Sequence, residues 1–318
     1  MATAVTTGVI TVGTWQECDT TIAPVLGALD RLRRSDRRGA VRASFLTLLA
    51  VGGERVEVDE VFDTVHRLGP FQPSRVIVVR VLRGDHHRLD ARVGVHLQSR
   101  GSQCVGIDDV ALEVAGPVTA HLDSLVEPLT LPDLPVVVWC RERLPPARSR
   151  LIDLADHLVV DTVAAGGRSR LPAVARLHRR TPVIDFAWLR LFPLRRRLAA
   201  SFLRPDLRRL LDEVEAVTVT GPEVDRALLA GWLLDCFPGA VVGEEGDHAS
   251  MSITLEGDDF RMSVETAPNA LTATLTRDGH QPWRSESAWS PPTTDGLLAE
   301  SLLGLRSDPV FTRALSRT

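Results

Sequence analysis

Apolar residues in this chain follow two rhythms, one of short saturated runs and one of helical spacing. QPSRVIVVRV (72–81) and LTLPDLPVVVWC (129–140) are β-branched runs entered through proline. That pattern predicts strands covered on both faces, as in a mostly parallel sheet. ASFLTLLAVG (43–52) predicts a first core strand, and HLVVDT (157–162) one more. Between them VDEVFDTVHRLGP (58–70) sets Val61, Val65 and Leu68, and also Phe62 and His66, at helical spacing before Gly69 and Pro70 stop the helix. Gly116-Pro117 opens a further helix with Val118, Leu122 and Leu125 inward, ended by Pro128. Segments 89–97 and 103–114 alternate apolar with polar and predict antiparallel or edge strands. Gly84 to His87 then reads as a hairpin tip. Upstream, Ile22, Val25, Leu26 and Leu29 mark a helix within 15–34. Residues 1–14 read as a flexible arm and 31–39 as a polar loop.

The rhythm changes after AAGGRSR (164–170), the best linker candidate. Two or three arginine-rich helices are expected over 171–211, and a strand at 214–221. Gly221-Pro222-Glu223 opens a strong helix that Pro238-Gly239 stops; in it Leu228 and Trp232, and Leu229 and Leu233, sit four apart. Residues 251–278 predict an antiparallel meander, and the tail from Gly296 a helix. The expected fold class is α/β: an N-terminal mixed, mostly parallel sheet domain flanked by helices (15–165), then a smaller α+β domain with an antiparallel meander (166–318).

Composition narrows the function. The chain has 318 residues, 44% hydrophobic and 25% charged, which suits a globular protein of two domains. All basic side chains are arginine, because lysine is absent. That excludes a Walker lysine, a Schiff base and a catalytic lysine. No apolar run approaches the roughly 18 residues of a membrane span, and the N-terminus lacks the basic and apolar segments of a signal peptide, so a cytoplasmic location is expected. Cys18, Cys104, Cys140 and Cys236 are far apart, without metal-ligand spacing. Neither a glycine-rich nucleotide loop nor a nucleophile elbow appears, so a standard nucleotide-dependent enzyme is disfavoured and no cofactor is expected. Net charge is −4, but residues 141–211 carry +10 and residues 212–318 carry −11. A cationic middle beside an anionic end points to internal pairing or a charged partner. Nucleic acid is disfavoured by the acidic total and the lack of interleaved aromatics.

Candidate contacts follow from position. Trp139 and Arg141 lie where a parallel sheet presents a ligand crevice. Arg75 opens the 75–81 strand and suits a phosphate, a partner or a structural ion pair. DFAWLRLFPLRRR (185–197) gathers Asp185, Trp188, Arg190, Arg195, Arg196 and Arg197, the Trp-plus-Arg composition of interface hot spots. The plainer reading is an amphipathic helix with a solvated arginine face. Asp108-Asp109 reads most simply as a solvated loop; on a strand the two would point to opposite faces and could not act as a pair.

VRASFLTLLAVG (41–52), QPSRVIVV (72–79), LVEPLTLPDLPVVVWC (125–140) and DFAWLRLFPLR (185–195) together resemble the glucose-6-phosphate dehydrogenase assembly protein family, OpcA, in order and spacing. The resemblance implies a two-domain, non-catalytic partner that promotes assembly or activation of glucose-6-phosphate dehydrogenase in the oxidative pentose phosphate route. The chain departs from the family pattern at Gln72, where relatives usually carry histidine, and at Cys140, where they often carry a second tryptophan. The other reading is a sensor or enzyme that binds a sugar phosphate at the strand ends between Trp139 and Arg143.

Overall fold

The proline-entered apolar runs form the middle of an eight-stranded sheet in a computed structural model that describes residues 9–36, 45–68, 75–100, 103–246 and 249–318. Its strands are Val9–Glu17 (β1), Thr47–Gly52 (β2), Arg75–Val81 (β3), Arg88–Arg100 (β4), Gln103–Ala115 (β5), Val136–Cys140 (β6), His157–Val160 (β7) and Val183–Asp185 (β8). They lie in the order β1-β4-β5-β3-β2-β6-β7-β8. The pairs β5–β3, β3–β2, β2–β6 and β6–β7 are parallel, while β1–β4 and β4–β5 are antiparallel. Leu48, Leu49, Ile77, Val78, Val137 and Val138 are almost fully buried. Successive residues of a strand face opposite ways, so burial of both neighbours requires cover on both faces, which the unbroken apolar runs anticipate.

Helices Ile22–Arg34 (α1), Val58–His66 (α2), Leu122–Val126 (α3) and Leu151–Leu154 (α4) belong to the same half of the chain. α2 buries Val61, Phe62 and Val65, which its spacing predicts, and Val58 and Thr64 besides. α1 holds Arg31, Arg33 and Arg34 in its last turn, where cations suit the helix dipole, so part of the expected polar loop is helix. The expected arm, over residues 9–14, is paired strand: β1 takes its partner from β4, and its exposed pattern hides it as an edge. Residues 1–8 lie outside the described residues, as do Gln72, Pro73, Ser74 and the expected helix stop at Gly69-Pro70.

The expected hairpin at Gly84 to His87 is instead a crossover, because β5 lies between β3 and β4. Gly116 sits against this crossover at φ 71°, and a Cβ there would lie 2.5 Å from the His86 carbonyl oxygen. The close approach therefore requires glycine.

Among the described residues seven further α-helices follow: Leu171–His178 (α5), Phe186–Arg190 (α6), Phe192–Ser201 (α7), Pro205–Arg208 (α8), Glu223–Cys236 (α9), Thr294–Leu303 (α10) and Pro309–Leu315 (α11). A second sheet contains Ala216–Thr220 (β9), Val241–Glu245 (β10), Ser252–Glu256 (β11), Phe260–Ala267 (β12), Ala270–Arg277 (β13) and Trp283–Ala288 (β14), in the order β10-β9-β11-β12-β13-β14. β10 runs parallel to β9 after α9, and the other pairs are antiparallel. The expected meander is therefore extended by β14 and flanked by a β–α–β unit. β10 and β14 are edge strands in which no residue is buried.

By internal contacts one unit takes residues 1–160, 180–183 and 298–305, and the other takes 161–179, 184–297 and 306–318. No helix among the described residues is long and apolar enough to cross a membrane.

Candidate functional site

In the first unit, Arg75 opens β3 and is 4% exposed. Its guanidinium lies 3.3 Å from Asp108 on β5 and donates to the Leu129 carbonyl. Arg33 of α1 reaches the same carboxylate from the other side. One buried carboxylate thus carries two guanidiniums, and a cleft lined by Leu26, Arg33, Arg75 and Pro132 opens beside them. Trp139 is buried in β6, with the Arg141 guanidinium 4.7 Å from its ring centre. Arg141 also lies 3.5 Å from Glu60 of α2, so its charge is engaged within the unit. Burial pushes the neighbouring Cys140 thiol up to about 12, which leaves it protonated and unreactive at neutral pH.

In the second unit, Asp185 is fully buried and caps α6 through the Ala187 N–H at 2.9 Å. It also accepts from the Thr162 backbone at 3.1 Å and from the Thr162 hydroxyl. Arg190 forms a fork with Asp161. Near them Asp225 of α9 is buried, with Oδ1 lacking a hydrogen-bond partner among the described residues. Burial raises Asp225 to about 6, against the pull of Arg190, and raises Asp185 to about 6 despite its hydrogen bonds.

Trp188 donates its indole N–H to Asp308 at 2.8 Å, and Asp308 caps α11 by accepting from Val310 and Phe311. The Arg195 guanidinium lies 3.6 Å over the Trp188 ring. Arg197 keeps Nε and Nη2 buried without a hydrogen-bond partner among the described residues. Of the nine candidates only Arg196 is exposed. The structure therefore builds the 185–197 cluster mainly inward: Asp185 and Trp188 hold helix starts, and a fully buried carboxylate has no surface to offer a partner docked on this conformation.

The strongest constellation in the first unit is one that sequence reasoning missed. Asp108 and Asp109 are on a strand, not in a loop, and do point to opposite faces of β5. Asp108 meets the two arginines, and Asp109 meets two histidines. His66 Nε2 of α2 lies 3.0 Å and His96 Nε2 of β4 lies 3.2 Å from Asp109 Oδ2. The rings are 5.4 Å apart. Thr11 Oγ1 of β1 lies 3.2 Å from His96 Nδ1, a pattern that fits a proton on Nε2 aimed at the carboxylate. Burial alone would raise Asp109, but the hydrogen bonds and charges of both imidazoles hold it below the usual carboxylate range. Burial pulls His66 down, and Asp109 outweighs this, so His66 titrates above its ordinary value. Gly94 makes room: a Cβ there would lie 2.5 Å from His96 Nε2.

These groups floor a cavity of about 650 Å³, whose wall includes Phe62, Asp63, Arg92 and Gln98. The available signal was period two: Arg92, Gly94, His96 and Gln98 share a face of β4, and register sets Gly94 opposite Asp109. Nothing in the local sequence reported that α2 covers that face.

Residues 66–179 match the family model described as glucose-6-phosphate dehydrogenase subunit N-terminal domain, and residues 181–315 match its C-terminal domain. No curated protein matches the chain in sequence. Among solved structures, UDP-N-acetylglucosamine 3-dehydrogenase from Acidithiobacillus ferrooxidans aligns at 8% identity and TM-score 0.39, covering 86% of this chain and 95% of that one. A super-repressor mutant of Gal80p from Saccharomyces cerevisiae aligns at 7% and 0.33, covering 82% and 83%. An oxidoreductase from Sinorhizobium meliloti aligns at 10% and 0.34, covering 86% and 95%. Likeness at these values carries no argument about activity.

Proposed function

We propose that this chain, which belongs to the glucose-6-phosphate dehydrogenase assembly protein (OpcA) family, is a non-catalytic partner of glucose-6-phosphate dehydrogenase. It docks directly on that enzyme in the cytoplasm and shifts its oligomeric or conformational equilibrium toward the active state, within the oxidative pentose phosphate route. The observation that carries this reading is the pair of consecutive family matches over 66–179 and 181–315. A partner can shift an equilibrium only by its differential affinity for the two states, about 1.4 kcal/mol for each tenfold change.

The chemistry of the grip is supported by arginine. Arg176, Arg179, Arg196, Arg208 and Arg209 in the second unit are exposed and make no ion pair among the described residues. Guanidinium forks of this kind suit carboxylates on a partner surface and speed encounter with an acidic face.

The test is dehydrogenase kinetics and size measurement with and without the purified chain. The expected outcome is a raised maximal rate or apparent substrate affinity together with a larger species containing both proteins. Unchanged kinetics and unchanged size would overturn the proposal.

A further inference from the structure

α7 presents an apolar stripe to solvent. Its inward side is Leu194, Leu198 and Ser201, buried where the helix packs on β12 and β13. Helical spacing sets Phe192, Arg196, Ala199 and, just past the helix end, Leu203 on the opposite side. The Leu203 N–H donates to the Ala200 carbonyl at 3.3 Å, so the turn continues to that residue. All four side chains are exposed, and so is Ala200 beside them. Phe192 is 43% exposed and Leu203 82%. The side of a helix opposite its core is ordinarily polar, yet here Arg196 is the one polar member. Positions at intervals of four, three and four, with apolar side chains at both ends, are the pattern of a helix that lies in a partner's groove.

Charge selects the occupant. From 186 to 211 the sequence holds seven arginines and a single acid, Asp206. Arg196 on the stripe, and Arg208 and Arg209 in the segment after it, are exposed and make no ion pair among the described residues. A second copy of the chain would set these guanidiniums against their own kind, a repulsion that disfavours self-association. An apolar groove edged by carboxylates answers both the stripe and its charge.

We propose that the Phe192–Leu203 face of α7 is the docking surface for glucose-6-phosphate dehydrogenase, and that it lies in an apolar groove of that enzyme with an acidic rim. Phe192 and Leu203 fill the groove, and Arg196 pairs with a rim carboxylate. This rests on the docking reading above and adds where the chain makes contact.

The experiment passes the full chain and three variants over immobilised dehydrogenase of the same organism, with enzyme kinetics and size measurement on each mixture. The variants are Phe192→Ser with Leu203→Ser, Ala199→Glu, and Arg196→Glu. Every altered residue is exposed, so melting temperatures should stay within about 2 °C of the parent. The apolar pair and Ala199→Glu should each raise the dissociation constant about tenfold or more, chiefly by faster dissociation. Arg196→Glu should slow association at low salt. If the paired variant melts early, Ala199→Glu decides alone. A parent that binds while the apolar pair and Ala199→Glu bind as tightly overturns this surface and leaves the docking reading standing. A parent that neither binds the enzyme nor alters its rate overturns both. A parent that is itself a dimer, made monomeric by Ala199→Glu, gives the face to a second copy and overturns the proposal.

Discussion

At the scale of single residues, burial decides what charge costs. Asp225 is 8% exposed, and its folded value of about 6 lies above that of an unfolded carboxyl. A raised carboxyl contributes its full stability only below the unfolded value near 4, and that contribution is lost as pH rises through about 6. Asp225→Asn should therefore stabilise the protein by about 2–3 kcal/mol at pH 8 and by almost nothing at pH 3.5, measured from denaturant midpoints. An equal gain at both pH values would refute this origin. His66 has the same sign with opposite chemistry. Its raised value means that pairing with Asp109 stabilises fully below the unfolded imidazole value and fades as pH rises through the folded one. The stability lost in His66→Gln should be larger at pH 6 than at pH 9. A loss independent of pH would mean that packing, not charge, holds the ring. Arg75 behaves differently, because removing it leaves the Asp108 carboxylate underpaired and the Leu129 carbonyl unserved. Breaking a buried ion pair on one side costs roughly 3–5 kcal/mol, and Arg75→Ala should show a loss of that size in denaturant unfolding.

At the scale of elements, α9 and α11 meet through a missing side chain. A Cβ on Gly231 would lie 2.4 Å from the Ala314 carbonyl oxygen, so the helices touch backbone to backbone. Trp188, Asp308 and Phe311 then fasten α11, with the two rings 5.5 Å apart. Gly231→Val should push α11 away at a cost of about 1–3 kcal/mol. Hydrogen exchange should quicken over 309–315 while β12 and β13 stay protected. Uniform loosening of both would show that α11 does not yield first. Dihedral freedom is not the issue here, since Gly231 lies inside a helix; closeness of approach is.

At the scale of the whole molecule, the cationic stretch is partly spent and partly free. Arg168 pairs with Glu244 of the acidic end at 2.5 Å, while Arg190 and Arg180 are answered by Asp161 and Asp153 of their own stretch. Arginines such as Arg176, Arg179 and Arg208 remain exposed and without an ion pair among the described residues. If these grip the dehydrogenase, association should slow steeply with salt, because exposed charges are screened over about 8 Å at 0.15 M. Raising salt from 50 to 500 mM should cut the association rate about tenfold or more, and Arg176→Glu with Arg179→Glu should cut it at low salt alone. A salt-insensitive rate would place the interface elsewhere.

Periodicity determined the core elements in advance. β3 and β6 are read directly from unbroken apolar runs, and α2 and α9 from residues three and four apart, because two-sided or one-sided burial writes itself into neighbouring positions. The four phrases that resemble the family are of the same kind. Edge strands such as β1, β10 and β14 escaped, since none of their residues is buried and exposed apolar residues such as Val9, Ile10 and Val241 carry no core signal. Tertiary structure alone decided that β5 lies between β3 and β4, that Asp109 collects His66 and His96, and that Asp185 and Trp188 turn inward while Arg196 stays out. Such pairings join residues tens of positions apart, and a contact made through space imposes no pattern on the chain between its ends.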